Sequence, residues 1–357
     1  MNNETMLAAV IRAPGDFGVE EISKPVCPDD GMILKVLACG LCGSDLRTLR
    51  SGHHRIKLPF VVGHEICGVI DEIGNSCRTA YSTGQTMAVG PLVYCDSCAY
   101  CRQGKFELCS NYREIAQHWY GGLAEYIAIP AAAIARGTMA SVAANVDPAF
   151  AAVAEPIASC VHAQEKSSIG LGDSVVIIGA GPIGCIHASL ARLRGADKII
   201  MVDVNQDRLK LSEQFAPDYR IDATAEDPVA AVKAATNGLG ASVDITANPV
   251  PQTQVQAVEM AQKGGRVLFF GGLPPEKACP GINTNLIHYN ALHIIGTTIF
   301  TPHHFDIALN LILSGKIPGD KLVSHRFKLT EFEQGAKMAL AGKVVKAVFM
   351  PGSRVAG

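Results

Sequence analysis

The sequence predicts an α/β protein whose centre is a doubly wound parallel sheet, with a strand-rich second domain ahead of it. Three observations carry this. The first is the run Val175-Val176-Ile177-Ile178-Gly179-Ala180-Gly181-Pro182-Ile183-Gly184, a β-branched strand entering Gly-x-Gly-x-x-Gly. The second is the chain just beyond it: a helical stretch from Cys185 to about Arg194, then Gly195, then the apolar run Lys198–Val202 ending at Asp203. The third is that strand and helix patterns keep alternating as far as Gly296, as βαβ units require. A chain of 357 residues is long for a single core, so two domains are expected.

The glycine-rich turn has a physical reading. Gly179 permits the tight turn, Gly181 lets a pyrophosphate approach the backbone, and Gly184 lets the helix pack on the strand. Pro182 and Ile183 complete the loop at the helix start, where exposed N–H groups receive an anion. An ordinary tight βα turn is the plainer alternative, which the strand–helix–strand–acid context disfavours. Asp203 ends the second strand, where an acid accepts hydrogen bonds from adenosine ribose and repels a 2′-phosphate. It predicts NAD. Arg208, five positions on, is the one nearby residue that would serve NADP instead.

Composition excludes several classes. Basic and acidic residues number 31 and 33, a net charge of −2, with no block of five like charges. That argues against a nucleic-acid groove or an anionic membrane partner. The opening MNNETMLAAVIRAPGD lacks a basic segment followed by a long apolar one, so a cytoplasmic location is expected. No apolar run is long enough to span a bilayer. The 12 cysteines then read as thiols and metal ligands rather than disulfides.

Taken in order, Met6–Ile11 and Phe17–Ile22 are short strand candidates, and Pro25, Pro28 and Asp29-Asp30-Gly31 are turn signals. Met32–Ala38 is a strand running into Cys39-Gly40-Leu41-Cys42-Gly43-Ser44-Asp45-Leu46, a Gly-rich turn opening a short helix. Phe60-Val61-Val62 leads to Gly63-His64-Glu65, then Ile66–Ile70 is a strand. On one strand His64 and Glu65 would face opposite ways, so ligation by both needs a bend, which Gly63 can supply. Cys95, Cys98, Cys101 and Cys109 come next, with the spacing of a closed tetrahedral zinc site. Iron–sulfur is the competitor, but its ferredoxin motif has a three-residue gap and a proline where this chain has seven residues and Ser110. Gly121–Pro130 is a turn and strand, preceded by His118 and the single tryptophan, Trp119, which could line a cleft or simply pack. Residues 131–150 are Ala-rich and weakly patterned, and a domain boundary is expected near Val146-Asp147-Pro148. Ala149–Glu155 starts a helix that Glu155-Pro156 interrupts and Ile157–Glu165 resumes. Glu155 in an apolar setting needs a partner or a metal; capping is the simpler role.

Beyond the nucleotide turn, helices are expected at Leu209–Phe215, Asp227–Asn237 and Gln252–Ala261, and strands at Ser242–Thr246, Gly265–Phe270 and Leu292–Gly296. Thr297 then stands at a strand end, where a cofactor lies in such sheets. Helices at Phe305–Ser314 and Leu329–Ala341 and strands at His325–Lys328 and Lys346–Met350 complete a tail expected to return to the first domain.

Together, Cys-Gly-x-Cys42-Gly-Ser-Asp, Gly-His64-Glu65, the four spaced cysteines, Glu155-Pro and the nucleotide turn resemble the zinc-dependent medium-chain dehydrogenase/reductase family, most closely its polyol dehydrogenases. The resemblance implies a GroES-like catalytic domain over 1–147, completed by 291–357, around a Rossmann domain over 148–290. It implies two zinc ions. Cys42 and His64 would hold the catalytic one, with Glu65 and Glu155 as ligands or immediate neighbours. Cys95, Cys98, Cys101 and Cys109 would hold the structural one. It also implies a homodimer or homotetramer.

The implied activity is oxidation of a secondary alcohol of a polyol or sugar alcohol, the hydride passing to NAD+. Ser44 is placed to pass on the hydroxyl proton. Many relatives carry a histidine shortly after it, where this chain has Arg47, a poor relay. Water, His53 or His54 would then finish the relay. Arg47, His53, His54, Arg55 and Lys57 could instead receive a phosphate or a sugar acid, or form a solvated loop. Arg47, His54 and Trp119 are the candidate substrate contacts. Competing functions are a threonine or simple alcohol dehydrogenase, a sugar-acid oxidoreductase and, further off, a non-catalytic NAD-binding protein.

Overall fold

The computed structural model describes residues 4–352. They form two compact units: one comprising the chain up to Ala158 with Phe300–Ala341 and the tail from Lys346, the other Ser159–Ile299 with Gly342–Val345.

The first unit is built on mainly antiparallel sheet, with one parallel pair, His325–Lys328 beside Ala347–Met350. Its main sheet orders His325–Lys328, Ala347–Met350, Met32–Gly40, Glu65–Ile73, Thr86–Val93 and Arg113–Glu114, with Tyr126–Ile129 and Gly137–Val142 pairing off this path. A smaller sheet holds Asp16–Ser23, Thr5–Ala13 and Phe60–Val61. Thr86–Val93 is buried along its whole length. It carries no period-2 alternation and an internal Gly-Pro, which is why pattern reading passes over it.

The second unit is a six-stranded, wholly parallel sheet ordered Tyr219–Asp222, Lys198–Asp203, Ser174–Ile178, Ala241–Thr246, Ala261–Phe269, His293–Gly296. The order reverses at Ser174–Ile178, the strand that feeds the glycine turn. This is the switch point where such sheets bind nucleotides.

Several element limits differ from expectation. The helix after the glycine turn starts at Pro182, not Cys185. Proline suits a first helical position because its missing N–H would be unsatisfied there anyway. The same logic moves the break expected at Glu155-Pro156. The chain breaks at Val153, and Ala154–Lys166 is one helix with Glu155 and Pro156 in its first turn. The Ala-rich stretch contains a helix, Ala131–Arg136, and a strand, Gly137–Val142, where no element was expected. Tyr219–Asp222 and the helix Thr284–Tyr289 were also unanticipated. Pro251–Met260 passes directly into strand at Ala261, so that strand begins before Gly265.

Candidate active site

The strand Met32–Gly40 delivers Cys42 to the N-cap of the helix Gly43–Ser51. Gly63, at φ 101°, makes the bend the sequence called for, and Glu65 opens the next strand while His64 lies outside it. Cys42, His64 and Glu65 come together: one ligand atom from each lies within 4.8 Å of the others.

Asp45 fastens the two loops. Its Oδ2 accepts from the Cys42 N–H at 2.9 Å, its Oδ1 accepts from the Gly63 N–H at 3.3 Å, and Oδ1 lies 3.5 Å from His64 Nδ1. A carboxylate on one ring nitrogen orients the imidazole and leaves the other nitrogen to ligate. Asp45 is buried. Burial opposes charge on His64, but Asp45 and then the Cys42 sulfur outweigh it and raise the imidazole well above its ordinary range. The sequence marks Asp45, with Cys42 and Ser44, as one of three polar or ligating groups on a turn that packing alone does not need, but not as the residue that orients His64; its position three residues after Cys42, inside the first helical turn, was the available signal.

Glu65 is fully buried and its Oε1 accepts from Lys346 Nζ at 2.5 Å. Its Oε2 is buried and has no hydrogen-bond partner. A Cβ at Gly40 would stand 1.9 Å from that oxygen, so the glycine exists to admit the carboxylate. Lys346 was not singled out in the sequence. It stands at the far end of the chain, and only the return of the tail brings it here. Glu155 lies outside the close Cys42–His64–Glu65 group but within electrostatic reach of it. Burial, partly offset by His64 and reinforced by Glu65, pushes its carboxyl up to about 7.

Ser44 is exposed, and its carbonyl accepts from the Thr48 hydroxyl at 3.0 Å. Arg47 and His54 are exposed as well. The His53 and His54 rings lie 4.7 Å apart, and burial, then the charges of His54, Arg55 and Arg47, lower His53. Arg55 is engaged with Tyr112, donating to its hydroxyl at 2.5 Å. Trp119 is half-buried, 5.8 Å from the Arg113 guanidinium.

The four cysteines form a second cluster, Cys95, Cys98, Cys101 and Cys109, whose sulfurs all lie within 4.8 Å of one another. The Cys95–Cys101 separation of 4.0 Å is far beyond a disulfide bond. Backbone N–H groups converge on the sulfurs: Cys95 donates to Cys109 Sγ at 3.2 Å and Cys101 to Cys98 Sγ at 3.5 Å. The Ser97 N–H, the Ser97 hydroxyl and the Cys98 N–H lower Cys95 to about 5, whereas burial and the neighbouring thiols raise Cys101 to about 12. Four sulfurs this close, with N–H groups that favour the thiolate, fit a divalent soft cation.

In the second unit the nucleotide turn has the geometry its glycines imply. Gly179 has φ 118°, a Cβ at Gly184 would meet the Gly179 carbonyl at 1.9 Å, and Gly181 faces open space. Gly181 caps the helix that Pro182 opens, with Ile183 next. Asp203 Oδ2 accepts from the Ala180 N–H at 2.7 Å and Oδ1 from the Asn205 N–H at 2.9 Å. The acid is thus held against the turn. Arg208 Nε lies where a side chain on Gly342 would strike it. Thr297 Oγ1 lies 3.4 Å from His162 Nδ1.

Comparison with known proteins agrees with this arrangement. Residues 28–138 match the alcohol dehydrogenase GroES-like domain and residues 182–314 the zinc-binding dehydrogenase domain. An L-threonine 3-dehydrogenase from Bacillus subtilis (strain 168) is 30% identical over 353 residues, covering 97% of this chain and 99% of its own. The chain belongs to the zinc-dependent medium-chain alcohol dehydrogenase family. A sorbitol dehydrogenase from Halalkalibacterium halodurans is also 30% identical, over 94% of this dehydrogenase and 96% of the relative. Among solved structures, a protein assigned as a zinc-binding dehydrogenase from Sinorhizobium meliloti 1021, bound to NADP, has a TM-score of 0.88 at 30% identity, covering 98% of this chain and 100% of its own. Among the described residues no helix is long and apolar enough to cross a membrane.

Proposed function

We propose that this dehydrogenase oxidises a secondary alcohol of a polyol or sugar alcohol with NAD+, using zinc at Cys42, His64 and Glu65, with Glu155 beside them. The observation that carries the reading is the convergence of a thiol, an imidazole and a carboxylate on one point, the carboxylate having one buried oxygen, Oε2, with no hydrogen-bond partner. This donor set fits zinc. When bound, the ion supplies Lewis acidity that lowers the pKa of an alcohol hydroxyl.

The chain's own residues do the rest. Asp45 holds His64 and the Cys42 loop in place. Lys346 offsets the Glu65 charge, so the carboxylates do not confront one another uncompensated. Glu155, raised to about 7, can hold or release a proton near neutral pH. Ser44 receives the substrate proton, and with Arg47 unable to relay it, His53 is the nearer base in sequence. Cys95, Cys98, Cys101 and Cys109 hold a second, structural zinc that does no chemistry.

Asp203, tied to the glycine turn, supports NAD+ over NADP+; the NADP in the Sinorhizobium meliloti relative is the reason to measure it. L-threonine is the second reading, because a relative of that name is as similar as the sorbitol dehydrogenase. The test is reduction of NAD+ and NADP+ by the zinc-loaded protein on xylitol, D-sorbitol, 2-pentanol and L-threonine. The reading expects turnover on the polyols, with kcat/KM higher for NAD+, and a Ser44→Ala variant that loses kcat but keeps its NAD+ affinity. Turnover on L-threonine alone, or a preference for NADP+, contradicts it. A homo-oligomer in the cytoplasm remains the expectation from the family, and sedimentation would size it.

A further inference from the structure

Glu114 is a buried acid that neither the metal set nor the nucleotide turn uses. It ends the short strand Arg113–Glu114, paired to Leu92 in the strand Thr86–Val93. Only 9% of its surface is exposed, and its Oε2 is buried without a hydrogen-bond partner. Three residues on, Gln117 turns toward it. The two side chains interact, yet Gln117 Oε1 is also buried and unpartnered. The Gln117 amide hydrogen-bonds the Glu114 carboxylate, which leaves one buried acceptor oxygen on each of the two adjoining side chains, Glu114 Oε2 and Gln117 Oε1, without a donor.

Their place in the fold is informative. The hairpin that carries them is strapped to the His64 loop: the Gly121 N–H donates to the Val61 carbonyl at 2.8 Å, and the Gly122 N–H to the Gly63 carbonyl at 2.7 Å. Glu114 feels the charge of His64, and Glu155 feels the charge of Glu114. Both interactions lie within the first unit. The orphaned acceptors therefore lie on a hairpin strapped to the loop that carries His64, within electrostatic reach of that residue.

We propose that Glu114 and Gln117 form a substrate subsite that accepts hydrogen bonds from hydroxyl groups flanking the reacting carbon of an uncharged polyol. The inference rests on the alcohol-oxidising reading above and deepens it. Buried acceptors without donors are costly, and a polyol supplies one donor per hydroxyl. A carboxylate at this place also opposes a phosphate or carboxylate on the substrate, which disfavours the sugar-phosphate and sugar-acid readings of the basic loop. Arg55 also acts on Glu114 electrostatically but is already committed to Tyr112. A site built to bond a substrate hydroxyl rejects analogues that lack it. Glu114 and Gln117 are specificity residues rather than a proton relay.

The test compares Glu114→Gln and Gln117→Leu with the wild type on xylitol, D-sorbitol, 2-pentanol and L-threonine. Trp119, the single tryptophan, sits in the same hairpin and bridges to Ile115, so its fluorescence reports xylitol binding without turnover. The expected result is a fall in kcat/KM on both polyols of about 10–100-fold, a matching loss of the xylitol-dependent fluorescence change, and unchanged turnover of 2-pentanol. An equal fall on 2-pentanol and the polyols overturns the proposal and makes Glu114 a structural residue. Unchanged polyol kinetics overturn it too. A loss confined to L-threonine replaces the hydroxyl donor with an ammonium and overturns the polyol occupant. If the wild type turns over none of the four alcohols, the alcohol-oxidising reading fails first, and xylitol-induced fluorescence in the wild type that Glu114→Gln abolishes would still support the subsite.

Discussion

At Asp45 a single carboxylate holds two chain segments that are remote in sequence, the Cys42 turn and the Gly63-His64 bend. Replacing it with asparagine keeps the shape but removes the charge that orients His64. Asp45→Asn should therefore weaken metal affinity by roughly 10–100-fold, read by competition with a chromophoric chelator, with little change in Tm. Asp244 is the opposite case, a buried acid with no function in sight. It lies on the strand Ala241–Thr246, its register partners Val176 and Val267 belong to the apolar core of the second unit, and neither carboxylate oxygen has a hydrogen-bond partner. Burial raises its pKa well above the usual carboxylate range. The folded protein then keeps a proton that the unfolded chain gives up above about pH 4, so stability falls as pH rises from there toward the folded-state pKa. Asp244→Val should stabilise by about 1–3 kcal/mol, with a larger gain at pH 8 than at pH 5 in urea denaturation. A gain that does not vary with pH would mean the acid is not buried protonated.

Elements were legible in proportion to how plainly chemistry marks them. The glycine turn, the two strands around it and the four-cysteine stretch stand out because positive φ, close approach and thiolate clustering leave few alternative sequences. The strand Thr86–Val93 and the Ala-rich helix and strand do not, since full burial erases alternation and alanine carries no direction. Glu155 could be flagged but not placed, because Pro156 looks like a break until the helix start is known. Lys346 and Glu114 carry no local signal. The partner of Lys346 comes from a distant segment, and only the fold shows that Glu65 needs a cation and that the hairpin carrying Glu114 is strapped to the His64 loop. The cysteine stretch carries its own prediction. Cys98→Ser should lose about one zinc ion per chain and lower the Tm by roughly 5 °C or more, while ligand geometry at Cys42, His64 and Glu65 is left intact. Unaltered zinc content would remove Cys98 from the metal set.

Across the whole molecule, labour is divided between the units. The first brings the candidate metal site together from three stretches: the turn after Met32–Gly40, the start of Glu65–Ile73, and the returning tail that supplies Lys346. The second supplies a nucleotide turn at the reversal of a parallel sheet. The family is established by similarity along almost the full chain, while the substrate rests on a few side chains that vary without disturbing the fold. The measurement that tests the central claim most directly is zinc content taken together with NADH formation from xylitol, on wild type and Cys42→Ser. The expected result is about two zinc ions per wild-type chain, turnover that chelation abolishes and zinc restores, and a variant that keeps one ion and loses turnover. A Cys42→Ser protein that holds both ions and still reduces NAD+ would contradict it.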